Sequence, residues 1–436
     1  MKIKHLTYPI VLAITLLLSI HLPGQQLLPA QKPLPAQQLP IVEPEKVRMS
    51  TERFERLTST FEGYVANEKL PGAVVLVARK GQVAYFNSFG KRDIASNSPM
   101  KKDAIFRIAS QTKAIVSVGL MILQEEGKLL ISDPVGKYIP EFNETTVAVA
   151  KDDGYEVVKA KRQITIRDLL THTAGIGYGG GPGAEKWEEA EIQGWYFAHR
   201  DEPILETIKQ MASLPNEAQP GERFVYGYNT DILGALIELV SGKPLDQFLK
   251  ERILDPIGMT DTHFYLPKSK SDRLATVYSK TQDGLEKAPS PGGMVGQGAY
   301  VDGPRKSFSG GAGFLSTAMD YAKFLQMMLN EGEYNGQRII SRKTVELMTT
   351  NHLGNVDFPW SGGTGFGLGF ATTEDIGEKG ELGSNGEYGW GGAYHSTYWV
   401  DPKEELVVVY FTQVIPANGL DDHGKLRSLI YQAIVD

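Results

Sequence analysis

Cysteine is absent from this chain of 436 residues. That excludes disulfides, a thiol nucleophile, a thiolate metal site and a cysteine-linked lipid anchor. A basic surplus is absent too: 45 Lys and Arg stand against 52 Asp and Glu, a formal charge of −7, which argues against a nucleic-acid partner. Eight histidines are present, none at His-Glu-x-x-His or comparable ligand spacing, so no metal and no cofactor are assigned. A long apolar run is missing as well. A membrane span needs about 20 apolar residues. The run over residues 10–20 is shorter, follows Lys2 and Lys4, and is interrupted by His21 and Pro23. It reads as an export signal over residues 1–24, with an uncleaved anchor as the alternative. No stable membrane insertion is expected after cleavage, and the location implied is periplasmic or secreted. Residues 25–49 are rich in Pro and Gln, the composition of an extended linker without a core. The folded body is expected to begin near Ser50.

Ser-x-x-Lys occurs three times, at Ser88, Ser98 and Ser110. Ser88 ends a strand-like run and has Gly90 inside its motif. Ser98 is followed by Pro99 in a polar loop. Ser110 leads into Ile115, Val118 and Ile122, apolar residues at spacings of three and four, and Gly127 supplies a stop. On a helix, residues three apart share a face. Lys113 so placed can exchange a proton with Ser110 and bias the site electrostatically, one way of making a weak hydroxyl nucleophilic. The stretch points to acyl transfer through a serine ester.

Around it the chain reads as helix, hairpin, long middle, hairpin, helix. Ser50 is a cap signal, followed by Phe54, Leu57, Phe61 and Tyr64 at helical spacing. Residues 72–78 and 82–89 flank Lys80-Gly81 as a β-hairpin. Residues 397–400 and 406–411 form a second hairpin, and a last helix spans about 424–434. The middle holds helical patterns at 164–170, 230–240 and 317–331. The glycine-rich run 175–183 lacks the Gly-Lys-Ser/Thr of a phosphate loop and reads as a mobile loop.

Two further stretches carry a family likeness. Residues 220–234, Pro-Gly-Glu-Arg-Phe-Val-Tyr-Gly-Tyr-Asn-Thr-Asp-Ile-Leu-Gly, resemble the tyrosine motif of serine β-lactamases of class C and their esterase relatives, with Tyr226 on the catalytic tyrosine. Gly389-Trp390-Gly391-Gly392-Ala393 lies where this superfamily carries its third motif. Residues 166–175, 256–262 and 309–317 read the same way, so the likeness covers about residues 50–430. The β-lactamase Tyr-x-Asn is absent at this point, and Trp390-Gly-Gly replaces Lys-Thr-Gly. Both departures resemble the esterase branch, the family VIII carboxylesterases. Trp360-Ser-Gly362 also matches Trp-x-Gly but precedes the wrong strand, and it is set aside.

The resemblance implies an α/β (α+β) fold, an antiparallel sheet flanked by helices and built from both chain ends. Residues 50–110 and 300–436 would form it, with a mainly helical domain, 111–299, inserted and the site between them. It implies Ser110 as nucleophile, Lys113 and Tyr226 as the proton-transfer groups, and substrate contacts from Trp390, Gly392, Ala393 and His395. Tyr226 is expected near Lys113, whose charge would favour a phenolate; whether Lys113 or Tyr226 takes the Ser110 proton stays open here. The Ser110 N–H at a helix start suits an oxyanion, and the resemblance adds the Ala393 N–H. His172 reads as a loop-fixing hydrogen-bonder and Asp231 as a cap or first-turn acid. The aromatic segment Trp187, Trp195, Tyr196 and Phe197 either walls an acyl pocket or packs its own loop. The expected activity is hydrolysis of small acyl esters. β-Lactam hydrolysis, D-Ala-type peptide cleavage and acyl transfer are the enzymatic alternatives. A non-catalytic ligand-binding member of the fold is the alternative of another class, and intact Ser110, Lys113 and Tyr226 speak against it. The partner is a small ester or amide.

Overall fold

A computed structural model describes residues 39–436. The export signal and the first part of the linker lie outside the described residues. The linker expectation fails for residues 39–49, which belong to the folded body. Leu39 is buried, Val42 N–H donates to Val83 O at 3.0 Å, and Val47 and Met49 are fully buried. Three apolar side chains scattered among prolines show no period, so composition hid them.

The frame is an eight-stranded antiparallel sheet. In chain order its strands are β1 (Gly72–Arg79), β2 (Gln82–Asp93), β3 (Ser98–Pro99), β4 (Thr364–Phe366), β5 (Ala371–Thr373), β6 (Tyr388–Gly392), β7 (Ser396–Asp401) and β8 (Leu406–Thr412). They lie side by side as β4-β5-β6-β7-β8-β1-β2-β3. The two hairpins expected from the sequence thus meet at the centre, β1 against β8, with Val75 opposite Tyr410. The β1–β2 turn uses Lys80 at φ 52° and Gly81 at φ 73°, the twin positive dihedrals of a tight hairpin turn.

Strand β1 is buried along its whole length, because both sheet faces are covered. Val75, Val77, Val408 and Tyr410 pack on Phe54, Leu57 and Phe61 of α1 (Thr51–Ala66) and on Leu426 and Ile430 of α5 (Asp422–Tyr431). Burying each such side chain is worth about 1.5–3 kcal/mol. Val74, Leu76, Val409 and Phe411 face the larger core, which includes residues of α2 (Thr112–Glu125), α3 (Asn229–Ser241) and α4 (Ala318–Leu329). Ser50 caps α1 by accepting from Arg53 N–H, and Thr317 caps α4 by accepting from Asp320 N–H. Helix α3 stops at Gly242 in the left-handed region.

The described residues, 39–436, form one compact unit. The stretch 111–299 is helical with two small hairpins, Thr146–Lys151 with Gly154–Lys159 and Tyr278–Thr281 with Gly284–Lys287. Among the described residues no helix is long and apolar enough to cross a membrane.

Candidate active site

Ser110 sits in a short 3-10 turn, Ala109–Gln111, that runs into α2. Three hydrogen bonds hold the turn. Ile108 N–H donates to Phe314 O at 3.1 Å, Phe314 N–H to Thr112 Oγ1 at 3.0 Å, and Tyr321 OH to Gln111 O at 2.9 Å. Across residues 104–123, Ser110 alone is not buried. The preceding Ala109 has φ 43°, a strained value for a residue with a side chain and the kind of strain found at functional sites. Ser88 lies in β2 and Ser98 in β3, apart from this turn.

Lys113 is 2% exposed. Its amine donates to Gly311 O at 2.8 Å, Tyr178 OH at 3.0 Å and Ser110 Oγ at 3.3 Å, which uses all three ammonium donors. On the remaining side it lies 4.6 Å from the ring centre of Tyr226. Behind Gly311 stands Asp231, fully buried in the first turn of α3. Its Oδ1 accepts from Ser309 Oγ at 2.6 Å and Gly311 N–H at 3.0 Å, while Oδ2 has no hydrogen-bond partner. Burial pushes this carboxyl up from its usual range, and the Lys113 cation is the largest opposing influence. Asp231 is thus more than a first-turn acid. It buttresses the peptide that receives the Lys113 amine.

Two tyrosines meet the amine in different ways. Tyr226 does approach Lys113, but with its ring face, and its hydroxyl accepts from Trp390 Nε1–H at 2.9 Å. The hydroxyl hydrogen-bonded to the amine belongs to Tyr178, which the sequence reading missed. Tyr178 lies in the glycine run, and that run is a packed loop with Gly175, Ile176, Gly177 and Gly179 buried. The glycines permit close approach of backbone to backbone: a Cβ at Gly227 would collide with the Gly177 peptide. This contact sets Tyr178 edge-on to Tyr226, with ring centres 5.8 Å apart at 80°. A tyrosine inside a glycine run, matched by a glycine directly after Tyr226, was the available signal. Burial first, then Tyr226 and Asp231, hold the Tyr178 hydroxyl well above pKa 10, so it stays a protonated phenol.

His172 is fully enclosed, and its Nδ1 accepts from Asn229 Nδ2 at 2.9 Å. Burial, then the Lys113 charge, push its pKa well below 6.5. Neutral, it packs 4.6 Å from the Tyr226 ring centre. It fixes the loop, as the sequence suggested. In the aromatic segment, Trp187 stacks on Tyr228, Phe197 packs on the same ring, and Trp195 meets Tyr394 edge-on.

The third-motif strand comes up against the Ser110 turn. A Cβ at Gly392 would stand 2.6 Å from Ile108 O, so glycine lets β6 reach the backbone two residues before Ser110. Ala393 is exposed in the turn that follows, which His395 N–H closes by donating to Gly392 O at 3.0 Å. Trp390 joins an aromatic cluster with Tyr226, Phe358, Trp360 and Phe366. Trp360, set aside on sequence grounds, stands edge-on to Tyr226 at 5.5 Å. His395, expected at the substrate, is committed elsewhere. Its Nε2 pairs with buried Asp422 Oδ1 at 2.7 Å, and its ring stacks on His423 at 4.1 Å. Asp422 also accepts from Tyr410 OH. His395, Asp422 and His423 are close enough to suggest metal ligands. However, the two imidazoles lie 15° from parallel, so their lone pairs do not converge on one point.

Cavities of about 500 Å³ lie beside Arg162 and Asp168, and beside Asn330 and Arg342, without Ser110 in their walls. The candidate site is instead a partly buried hydroxyl beside a buried amine, two phenols and a glycine-lined strand.

Comparison with known proteins agrees with this geometry. The beta-lactamase family matches over residues 57–430. An uncharacterized protein of Mycobacterium tuberculosis is 35% identical over 369 residues, covering 81% of this chain and 88% of the relative. Esterase EstB of Burkholderia gladioli is 30% identical over 372 residues, covering 82% and 89%. The solved structure of EstCE1, a hydrolase with promiscuous acyltransferase activity, superposes with a TM-score of 0.74 at 27% identity, over 87% of this chain and 98% of that one. The chain belongs to the beta-lactamase family, and within it is a serine hydrolase.

Proposed function

We propose that this protein is an esterase for small acyl esters that works through an acyl-Ser110 intermediate. The observation that carries the reading is the Lys113 amine, 3.3 Å from Ser110 Oγ and enclosed by Tyr178 and Gly311. Ser110 Oγ attacks the ester carbon, the carbonyl electrons move to oxygen, and the serine proton passes to Lys113, whose ammonium has first released to water the proton it directs at Ser110 Oγ. Collapse of the tetrahedral adduct breaks the bond to the alcohol, which leaves with a proton from the Lys113–Tyr226 side of the site. Water then repeats the attack and frees Ser110. The oxyanion is received by the N–H groups of Ser110 and Ala393, preorganised donors of the kind that stabilise developing charge. Tyr178, a phenol on the same amine, holds Lys113 in place. Tyr226 is oriented by Trp390 and His172.

Esters are favoured over β-lactams because of Trp390. A β-lactam antibiotic carries a carboxylate, and charge-assisted bonds to it are the strong kind. Trp390 brings an indole N–H, already given to Tyr226. Losing a charged contact is worth about 1.5–3 kcal/mol, roughly 10- to 100-fold. EstB is an esterase by name, which supports the same choice. Release of the acyl group to an alcohol instead of water would give acyl transfer, the side activity named for EstCE1. The test is one panel of p-nitrophenyl esters, a chromogenic cephalosporin and D-Ala peptides, with wild type and Ser110→Ala. Ester turnover well above the other two, and lost in the variant, is expected. Efficient cephalosporin turnover with negligible ester turnover would overturn the reading.

Export is part of the same proposal, on the strength of Lys2, Lys4 and the apolar run at 10–20. Protein recovered outside the cytoplasm should lack its first 20 to 30 residues, about the length of a cleaved signal. An N-terminus at Met1 would speak for an uncleaved anchor.

A further inference from the structure

Trp360 is 58% exposed. A lone surface tryptophan needs no explanation, but this one belongs to a cluster. Its ring lies 5.5 Å from Tyr226, 5.6 Å from Trp390 and 5.4 Å from Phe358. The loop that carries it is pinned at both ends. Asn351 Oδ1 accepts from Phe366 N–H at 3.2 Å, and Gly363 O accepts from Glu374 N–H at 2.8 Å. The indole is therefore presented by the edge of the sheet and not by a free strand of chain.

Trp360 and Trp390 are among the residues that line a groove of about 290 Å³, together with Lys379, Glu381, Glu387 and Arg427. Those charged groups are already paired. Lys379 meets Glu387 at 3.3 Å and Glu381 at 3.7 Å, and Arg427 meets Glu387 at 2.8 Å and Glu381 at 3.5 Å. Two cations face two carboxylates, so no net charge is left to hold an ionic ligand. The large apolar surface left open in the groove is that of Trp360. Trp360 itself meets the Tyr226 ring at 5.5 Å, which places this indole next to the reacting groups.

We propose that Trp360 and Trp390 form a subsite for a flat, uncharged ring carried by the ester, so that ring-bearing esters are the preferred substrates. This deepens the esterase reading and rests on it. The two indoles meet at 42° with centres 5.6 Å apart, too close for a ring to slip between at the usual stacking distance on each side. The ring lies against the open face of Trp360, in the groove. Flat aromatic contact of this sort adds to plain area burial. A rigid platform also loses little freedom on binding.

The test uses three esters: ethyl acetate without a ring, 2-naphthyl acetate with the ring on the alcohol, and ethyl 2-naphthoate with the ring on the acyl group. For each, kcat/KM of Trp360→Ala is compared with wild type, with circular dichroism to confirm the fold. A loss of roughly 10- to 100-fold is expected on one or both ring esters, against a few-fold at most on ethyl acetate. Trp360→Phe should recover most of it. The ester that suffers tells which half of the substrate enters the groove. Binding is read separately by calorimetry, titrating 2-naphthyl acetate into Ser110→Ala protein with and without Trp360→Ala. Equal loss on all three esters, or none on either ring ester with unchanged binding, overturns the subsite. Binding that depends on Trp360, in a wild-type protein that hydrolyses none of the three, supports the subsite and overturns the esterase reading alone.

Discussion

At the scale of single residues, the site is organised around one buried amine. Lys113 spends its three donors on a serine, a tyrosine and a peptide oxygen. Groups acting as one unit lose activity non-additively. Lys113→Ala should nearly silence turnover. Tyr178→Phe removes one hydrogen bond to a charged donor and should cost roughly 10- to 100-fold in kcat. The double variant should be little worse than Lys113→Ala alone. Steady-state kinetics on the four proteins checks this, and additive losses would separate Tyr178 from Lys113. Asp231 gives a second prediction. Burial raises its pKa, so the unfolded chain releases this proton at lower pH than the folded one. Stability therefore falls as pH rises between the two values, and the loss persists above them. Asp231→Asn should raise Tm more at pH 8 than at pH 4, and should lower kcat because the support behind Gly311 loses its charge. Calorimetry at both pH values decides it; a larger gain at pH 4 would contradict the assignment.

At the scale of elements, glycine does the placing. Gly227 and Gly177 allow the loop of Tyr178 to lie on the segment of Tyr226. Gly227→Ala forces an atom into backbone, an overpacking change that typically costs about 1–3 kcal/mol. It should lower both the denaturation midpoint and kcat; unchanged kcat in a folded variant would show that the tyrosine pair needs no such contact. This also explains what could be read in advance. The hairpins, the cap at Ser50 and the Ser110 helix follow from local periodicity and turn chemistry. Tyr226, Trp390 and Gly392 could be placed near the Ser110 turn because each sits in an ordered motif. Tyr178 and Trp360 sit in irregular loops, where nothing local reports which core the loop packs on. The His395 ring was misplaced for a similar reason: its partner Asp422 arrives from the last helix, 27 residues on.

At the scale of the whole molecule, the two chain ends build one sheet, and the Ser110 turn lies between that sheet and the helical stretch. Among the described residues this body already includes Leu39, well before Ser50. Val47 and Met49 are fully buried, Met49 pairs with Ile434, and Arg79 ties Val47 and Arg48 carbonyls to Asp436. A chain starting at Leu39 should melt like the full chain. One starting at Ser50 should melt well below it, since deleting a single buried side chain such as Met49 already costs about 2–5 kcal/mol. Equal Tm for the two truncations would return residues 39–49 to the linker.

Labelling with a fluorophosphonate decides whether Ser110 is the nucleophile of this fold. Such a probe forms a bond to an activated serine oxygen with loss of fluoride. After labelling, peptide mass mapping should place a single adduct on Ser110, and Ser110→Ala protein should take up none while Ser88→Ala and Ser98→Ala proteins label like wild type. An adduct on another serine, or rapid ester hydrolysis by protein whose Ser110 stays unmodified, would contradict the account.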